Sequence, residues 1–144
     1  MITDTKKRVL AIDYGSKRIG VAISDPLCLF PSITFTLQND KNVFPSILKI
    51  ILEKNINKIV LGYPDNESKS TIQLAKEIIK FKCELELKSK IAVDLWDEQL
   101  TSQIASERII NSVIRKSKRR DKALVDAQSA AIILEEYLNS LTGR

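Results

Sequence analysis

Arg8-Val-Leu-Ala-Ile-Asp-Tyr-Gly-Ser-Lys-Arg-Ile-Gly-Val-Ala-Ile-Ser24 decides the fold. Residues 8–14 form a β-branched apolar run without a breaker, the pattern of a buried strand. Gly15-Ser16-Lys17 turns the chain, and residues 18–24 form a second run of the same kind. A connection this short joins antiparallel neighbours. Asp25-Pro26 stops the second strand, because proline restricts the residue before it and lacks an amide donor. Residues 33–37 alternate apolar side chains with threonine, as the third strand of a meander would.

Beyond the meander the period lengthens. Val43, Ile47, Ile50 and Ile51 recur at helical spacing and predict a helix over 43–54. A short strand follows over 58–62, stopped by Gly62 and Pro64. A helix is expected over 70–85, with Ile72, Ala75, Ile78, Ile79 and Phe81 on its apolar side. A strand over 90–96 and helices over 100–114 and 124–141 complete the order βββαβαβαα. The class is α/β: a mixed five-stranded sheet, with a three-strand antiparallel meander plus two parallel strands, flanked by helices. Residues 1–144 read as a single domain.

Composition excludes several chemistries. The 144 residues contain no histidine, so a Ser-His-Asp triad, a Cys-His pair, an HExxH zinc site and a C2H2 finger are ruled out. The two cysteines, Cys28 and Cys83, are far apart and read as core thiols rather than a disulfide or metal pair. Hydrophobic residues make up 44% and charged residues 28%, the balance of a globular chain. No apolar run is long enough to span a bilayer, so no membrane partner is expected. The N-terminal stretch lacks a signal-peptide core, which points to a cytoplasmic protein. A net charge of +5 suits an anionic partner.

Three acids stand where apolar packing makes a carboxylate costly. Asp13 ends the most apolar strand and shares a face with positions 9 and 11. It reads either as a turn aspartate in Asp-Tyr-Gly-Ser or as a ligand at a strand's carboxyl end. Gly15, two residues on, suits a positive φ or a close approach of phosphate to the backbone. Asp97 and Glu98 precede the expected helix over 100–114, where acids also serve as helix-entry residues. Asp126 lies beside the stripe Leu124, Ala127, Ala131, Leu134, Leu138 and Leu141, in register with Ala130, Ile133 and Tyr137. That places it near the sheet-facing side, unless it serves as an N-terminal cap. Brought together, such acids would form an oxygen-only site suited to Mg2+ or Mn2+. A pair of such ions can activate water and stabilise the leaving oxygen of a phosphodiester.

The run Arg115-Lys-Ser-Lys-Arg-Arg-Asp-Lys122 supplies cations just before Asp126. Charge runs are commonly solvated loops, but Arg115, Lys116, Lys118, Arg119 and Arg120 are also placed to meet a polyanion. Lys17 and Arg18 add positive charge beside Asp13. Phosphate contacts from such residues give affinity without sequence choice.

The stretch from Leu10 to Pro26 closely resembles the opening of the YqgF (RuvX) family of Holliday junction resolvases. Val60-Leu-Gly-Tyr-Pro64 is similar to that family's strand-and-loop motif. Asp97-Glu-Gln-Leu-Thr-Ser102 is similar to its Asp-Glu-Arg-Leu-Thr-Thr motif, with Gln99 in place of the arginine. Residues 118–138, with Asp126-Ala-Gln-Ser-Ala-Ala131, resemble its basic loop and final helix. The loop over 65–68 is shorter than the family's and lacks its glycine. The resemblance implies an RNase H-like fold and a cytoplasmic bacterial nuclease that matures the 5′ end of the small-subunit ribosomal RNA precursor. Its catalytic, metal-holding acids would fall on Asp13, Glu98 and Asp126.

Three other readings compete. A resolvase acting on four-way DNA junctions would be expected to work as a symmetric dimer; for the chain itself a monomer or weak homodimer is expected. A non-catalytic RNA-binding assembly factor would have no use for three costly acids. An actin-like ATPase shares the Asp-x-Gly hairpin but needs two such domains, which this length does not provide.

Overall fold

The computed structural model describes residues 7–64, 69–97 and 122–142. The elements, numbered in chain order, are β1 (Arg8–Asp13), β2 (Arg18–Ser24), β3 (Pro31–Gln38), α1 (Val43–Glu53), β4 (Ile56–Tyr63), α2 (Lys69–Ser89), β5 (Val93–Asp97) and α3 (Lys122–Thr142). The helix expected over 100–114 and the loop over 65–68 lie outside the described residues.

The hairpin pairs as its short connection requires: β1 runs antiparallel to β2, with Asp13 opposite Gly20, and β2 antiparallel to β3. The β4 strand joins the other side of β1 in parallel, and β5 joins β4 in parallel. The sheet order is therefore β3-β2-β1-β4-β5. This is the mixed meander-plus-parallel sheet expected from the sequence.

Side-chain alternation gives the sheet two apolar faces. Leu10 and Ile12 of β1, with Ile19, Val21 and Ile23 of β2, pack with Val43, Ile47 and Ile51 of α1 and Ile78, Phe81 and Leu85 of α2. Val9, Ala11, Ala22 and Val60 lie on the opposite face, against Ala130, Ala131, Ile133, Leu134, Tyr137 and Leu138 of α3. The small residues on that face let α3 lie close to the central strands.

Local chemistry closes several connections. Asn55 has φ 56° and carries the chain from α1 into β4, while its carbonyl accepts the Arg8 N–H at 3.0 Å. Lys90 has φ 63° and ends α2, so β5 starts at Val93 and not at residue 90 as the sequence pattern suggests. Glu86 clips this connection by accepting the Val93 N–H at 2.9 Å and the Lys82 ammonium at 3.1 Å. These contacts hold its carboxyl below the usual range.

Other expectations are corrected by packing. On α2 the buried residues are Ile78, Phe81 and Leu85, whereas Ile72 and Ile79 are exposed and line an open cleft of about 410 Å³ with Tyr63, Ala75 and Lys76. Two apolar stripes at helical spacing run along this helix, and only one fits against the sheet. Leu141, in the last turn of α3, is exposed. Neither cysteine is a core thiol: both are free, with Cys28 half-buried and Cys83 exposed on α2. Among the described residues no helix is long and apolar enough to cross a membrane.

The turn after β2 depends on Asp25, which is buried. Its carboxylate accepts the N–H groups of Leu27 at 3.1 Å, Leu29 at 2.7 Å and Phe30 at 2.9 Å. Burial raises the Asp25 pKa, but the backbone donors outweigh it and the net position is below the ordinary value. Asp25→Ala is expected to cost about 2–3 kcal/mol at pH 7, since three donors lose a charged acceptor. A lowered folded pKa gives stability that is present above the unfolded value and lost as pH falls through the folded one. The gap between parent and variant in urea melts should therefore narrow below about pH 4. An equal gap at pH 7 and pH 3 would show that the carboxylate charge is not what holds the turn.

Candidate active site

The candidate site lies where β1 and β2 meet the N-terminal part of α3. Alternation puts Asp13 on the same face as Val9 and Ala11, which pack toward α3. Asp13 is half-buried and opposite Gly20 in the β1–β2 ladder. A Cβ on Gly20 would collide with the backbone carbonyl oxygen of Asp126 and would stand only 3.4 Å from the Ala127 nitrogen. Gly20 thus lets the α3 backbone rest directly on the sheet, and it brings the Asp13 and Asp126 positions to the same place. Sequence reading did not single out this glycine. The available signal was a glycine inside an otherwise apolar strand, which often marks close backbone approach.

Asp126 does not act as a cap, since α3 begins at Lys122. Its Oδ2 accepts a hydrogen bond from Arg18 Nε at 3.2 Å, and the two side chains are 29% and 27% exposed. Arg18 opens β2 and shares a face with Gly20 and Ala22. The far end of α3 is tied to β5, where Trp96 Nε1 donates to Glu136 at 3.2 Å and the Trp96 and Tyr137 rings meet edge to face.

The loop before Arg18 is also fixed. A Cβ on Gly15 would collide with the Arg18 carbonyl oxygen, and Gly15 lies outside the left-handed φ range. Close approach is therefore what demands glycine here, and the approaching group is the chain's own backbone. Asn39 pins the same loop, donating Nδ2–H to the Gly15 carbonyl at 2.8 Å and its backbone N–H to the Lys17 carbonyl at 2.9 Å. Lys17 is exposed at the tip.

The structure thus pairs Arg18 with Asp126 and sets Asp13 opposite Gly20, the residue on which the Asp126 backbone rests, while Lys17 precedes Arg18 in the loop. Glu98, Arg115, Lys116, Lys118, Arg119, Arg120 and Gln99 lie outside the described residues. Among the described residues no group of three acids or cysteines gathers to hold a metal ion. Asp13 and Asp126 offer carboxylate oxygens only, the donor type preferred by hard cations such as Mg2+ and Mn2+. The Arg18 guanidinium already stands on Asp126 as a cation would. The donor type at these two positions is the one a divalent ion takes.

Comparison with known proteins gives a consistent family. The family model described as RuvX, Holliday junction resolvase, matches residues 7–140. A relative from Azobacteroides pseudotrichonymphae is 40% identical over 136 residues, covering 93% of this chain and 97% of its own. One from Phocaeicola vulgatus is 35% identical over 134 residues, covering 92% and 96%. Both carry the name "Putative pre-16S rRNA nuclease". Among solved structures, Thermus thermophilus RuvC in complex with a Holliday junction substrate superposes with a TM-score of 0.60 at 11% identity, covering 95% of this chain and 96% of that one. Fowlpox virus resolvase, in complex with Holliday junction DNA, gives 0.59 at 15% identity, covering 93% and 98%. At these identities the structural likeness establishes the fold, which is RNase H-like. With the model matched along almost the whole chain and relatives well above 30% identity, this protein belongs to the RuvX family.

Proposed function

We propose that this chain is a divalent-metal-dependent nuclease that hydrolyses phosphodiester bonds in structured RNA, acting in the cytoplasm at the 5′ end of the pre-16S ribosomal RNA. The observation that supports this reading is the placement of Asp13 opposite Gly20, the residue on which the Asp126 backbone rests, with Arg18 on the Asp126 carboxylate. Relatives named for pre-16S rRNA support the RNA substrate. Asp13 and Asp126 hold the metal, with Glu98 as the third acid. Bound Mg2+ or Mn2+ supplies an activated water and a counter-charge for the leaving oxygen. Lys17 and Arg18 position substrate phosphate at the strand ends, and the cations at 115, 116, 118, 119 and 120 extend the contact along the backbone.

The second reading is cleavage of four-way DNA junctions, favoured by the family description and by the junction complexes of the two resolvases. The deciding experiment incubates the protein with a precursor-rRNA 5′ leader and with a four-way junction, each with Mg2+, Mn2+ or EDTA. Metal-dependent cutting of the RNA and sparing of the junction is the expected result, and the reverse establishes the resolvase. If neither is cut under any metal, the nuclease reading is wrong. In the same system, alanine at Lys116, Lys118, Arg119 and Arg120 should weaken RNA binding and flatten its salt dependence, by about 0.7–0.9 log unit of slope for each phosphate no longer neutralised. An unchanged slope would make the run a solvated loop.

A further inference from the structure

We infer that Arg18 is a positioning residue with two stations: it holds Asp126 in the metal-free protein, and a divalent cation displaces it, freeing the guanidinium for a substrate phosphate. This rests on the metal-dependent reading above and adds to it an order of events at the site.

Both ends of the pair grow from fixed backbone. Arg18 is the first residue of β2, Asp126 lies on α3, and the close contact at Gly20 keeps those two elements in register. Only the two side chains are free to rearrange. The contact runs through Nε alone, at 3.2 Å, and is longer than the 2.7–2.9 Å typical of charge-assisted bonds. Each side chain keeps more than a quarter of its surface in contact with solvent. An open, single-point ion pair of this kind is weak and exchangeable. Asp13 lies on the same face of the sheet, opposite Gly20. A metal ion shared by Asp13 and Asp126 must enter beside Gly20, at the carboxylate the guanidinium now occupies. Two cations competing for one carboxylate oppose each other, so metal binding releases Arg18. The residue then stands at the site's mouth next to Lys17, where a phosphate would be held.

The exchange predicts that removing Arg18 tightens metal binding and that the metal frees the Arg18 Nε–H, whereas an arginine that stays clipped to Asp126 would keep its Nε–H unaltered. The probe is Mn2+, titrated by calorimetry or electron paramagnetic resonance. Arg18→Gln should bind Mn2+ about two- to fivefold more tightly than the parent, the scale set by an exposed ion pair. The gain should vanish when the same change is made in Asp126→Asn. A second measurement uses the parent alone: the Arg18 Nε–H resonance should shift and exchange faster with solvent as Mg2+ saturates the site. Equal or weaker Mn2+ binding by a folded Arg18→Gln protein, or an Arg18 Nε–H unaltered at saturating Mg2+, overturns the exchange and leaves the metal site standing. If the parent binds no Mn2+, the metal-dependent reading falls and the exchange falls with it.

Discussion

Asp13→Asn is expected to reduce phosphodiester cleavage by at least about a hundredfold, the scale on which loss of one preorganised electrostatic group lowers turnover. Asparagine keeps the size and one oxygen of aspartate, so the hairpin should persist, and metal-free stability should stay within about 0.5 kcal/mol of the parent or exceed it. The charge is what changes. A native-state ligand held at about 100 times its dissociation constant stabilises by about 2.7 kcal/mol, which in a chain of this size raises the melting temperature by about 8 °C. The parent should show such a rise with Mn2+, and Asp13→Asn should lose most of it. Paired melts with and without Mn2+, alongside an RNA cleavage assay, decide the matter. An Asp13→Asn protein that still cuts, or that gains as much from Mn2+ as the parent, would remove Asp13 from the metal site. One that unfolds without metal would make Asp13 a structural turn residue.

Gly20→Ala should destabilise the fold by about 3 kcal/mol, near the upper end for forcing an extra methyl into a packed interior. The new Cβ meets the carbonyl of Asp126 and the nitrogen of Ala127, which are helix backbone and cannot rotate aside. To admit it, α3 must lift from β2 at the point that sets Asp126 beside Asp13. Cleavage should therefore fall together with stability, even though no ionisable group has changed. The sign is diagnostic. In an uncrowded strand, alanine is favoured over glycine by roughly 0.5–1 kcal/mol. A Gly20→Ala protein with a raised urea midpoint would show that the helix does not rest there.

The parts of the site within one hairpin were legible in the sequence because they are local. Strand alternation fixes that Asp13 shares a face with residues 9 and 11, and a short connection, residues 14–17, fixes the antiparallel pairing of β1 and β2. The pairing of Arg18 with Asp126 joins residues 108 positions apart and has no local signature. Gly20 was equally silent, because a glycine's reason for being there is the atom that approaches it. On α2, the stripe through Ile72, Ala75 and Ile79 and the stripe through Ile78, Phe81 and Leu85 both satisfy helical spacing. Burial of the second follows from where the sheet lies.

By itself the sequence determined the order of the described strands and helices, the mixed sheet and the absence of imidazole chemistry, since period, turn chemistry and composition act over a few residues. Tertiary structure alone decided that α3 lies against the β1–β2 hairpin with its backbone on Gly20, that Asp126 faces Arg18, and that Gly15 makes room for the Arg18 carbonyl. Those contacts depend on how closely two packed surfaces approach, and that distance is set by the small side chains of both surfaces together, Ala11, Gly20 and Ala22 on the sheet with Ala127, Ala130 and Ala131 on the helix.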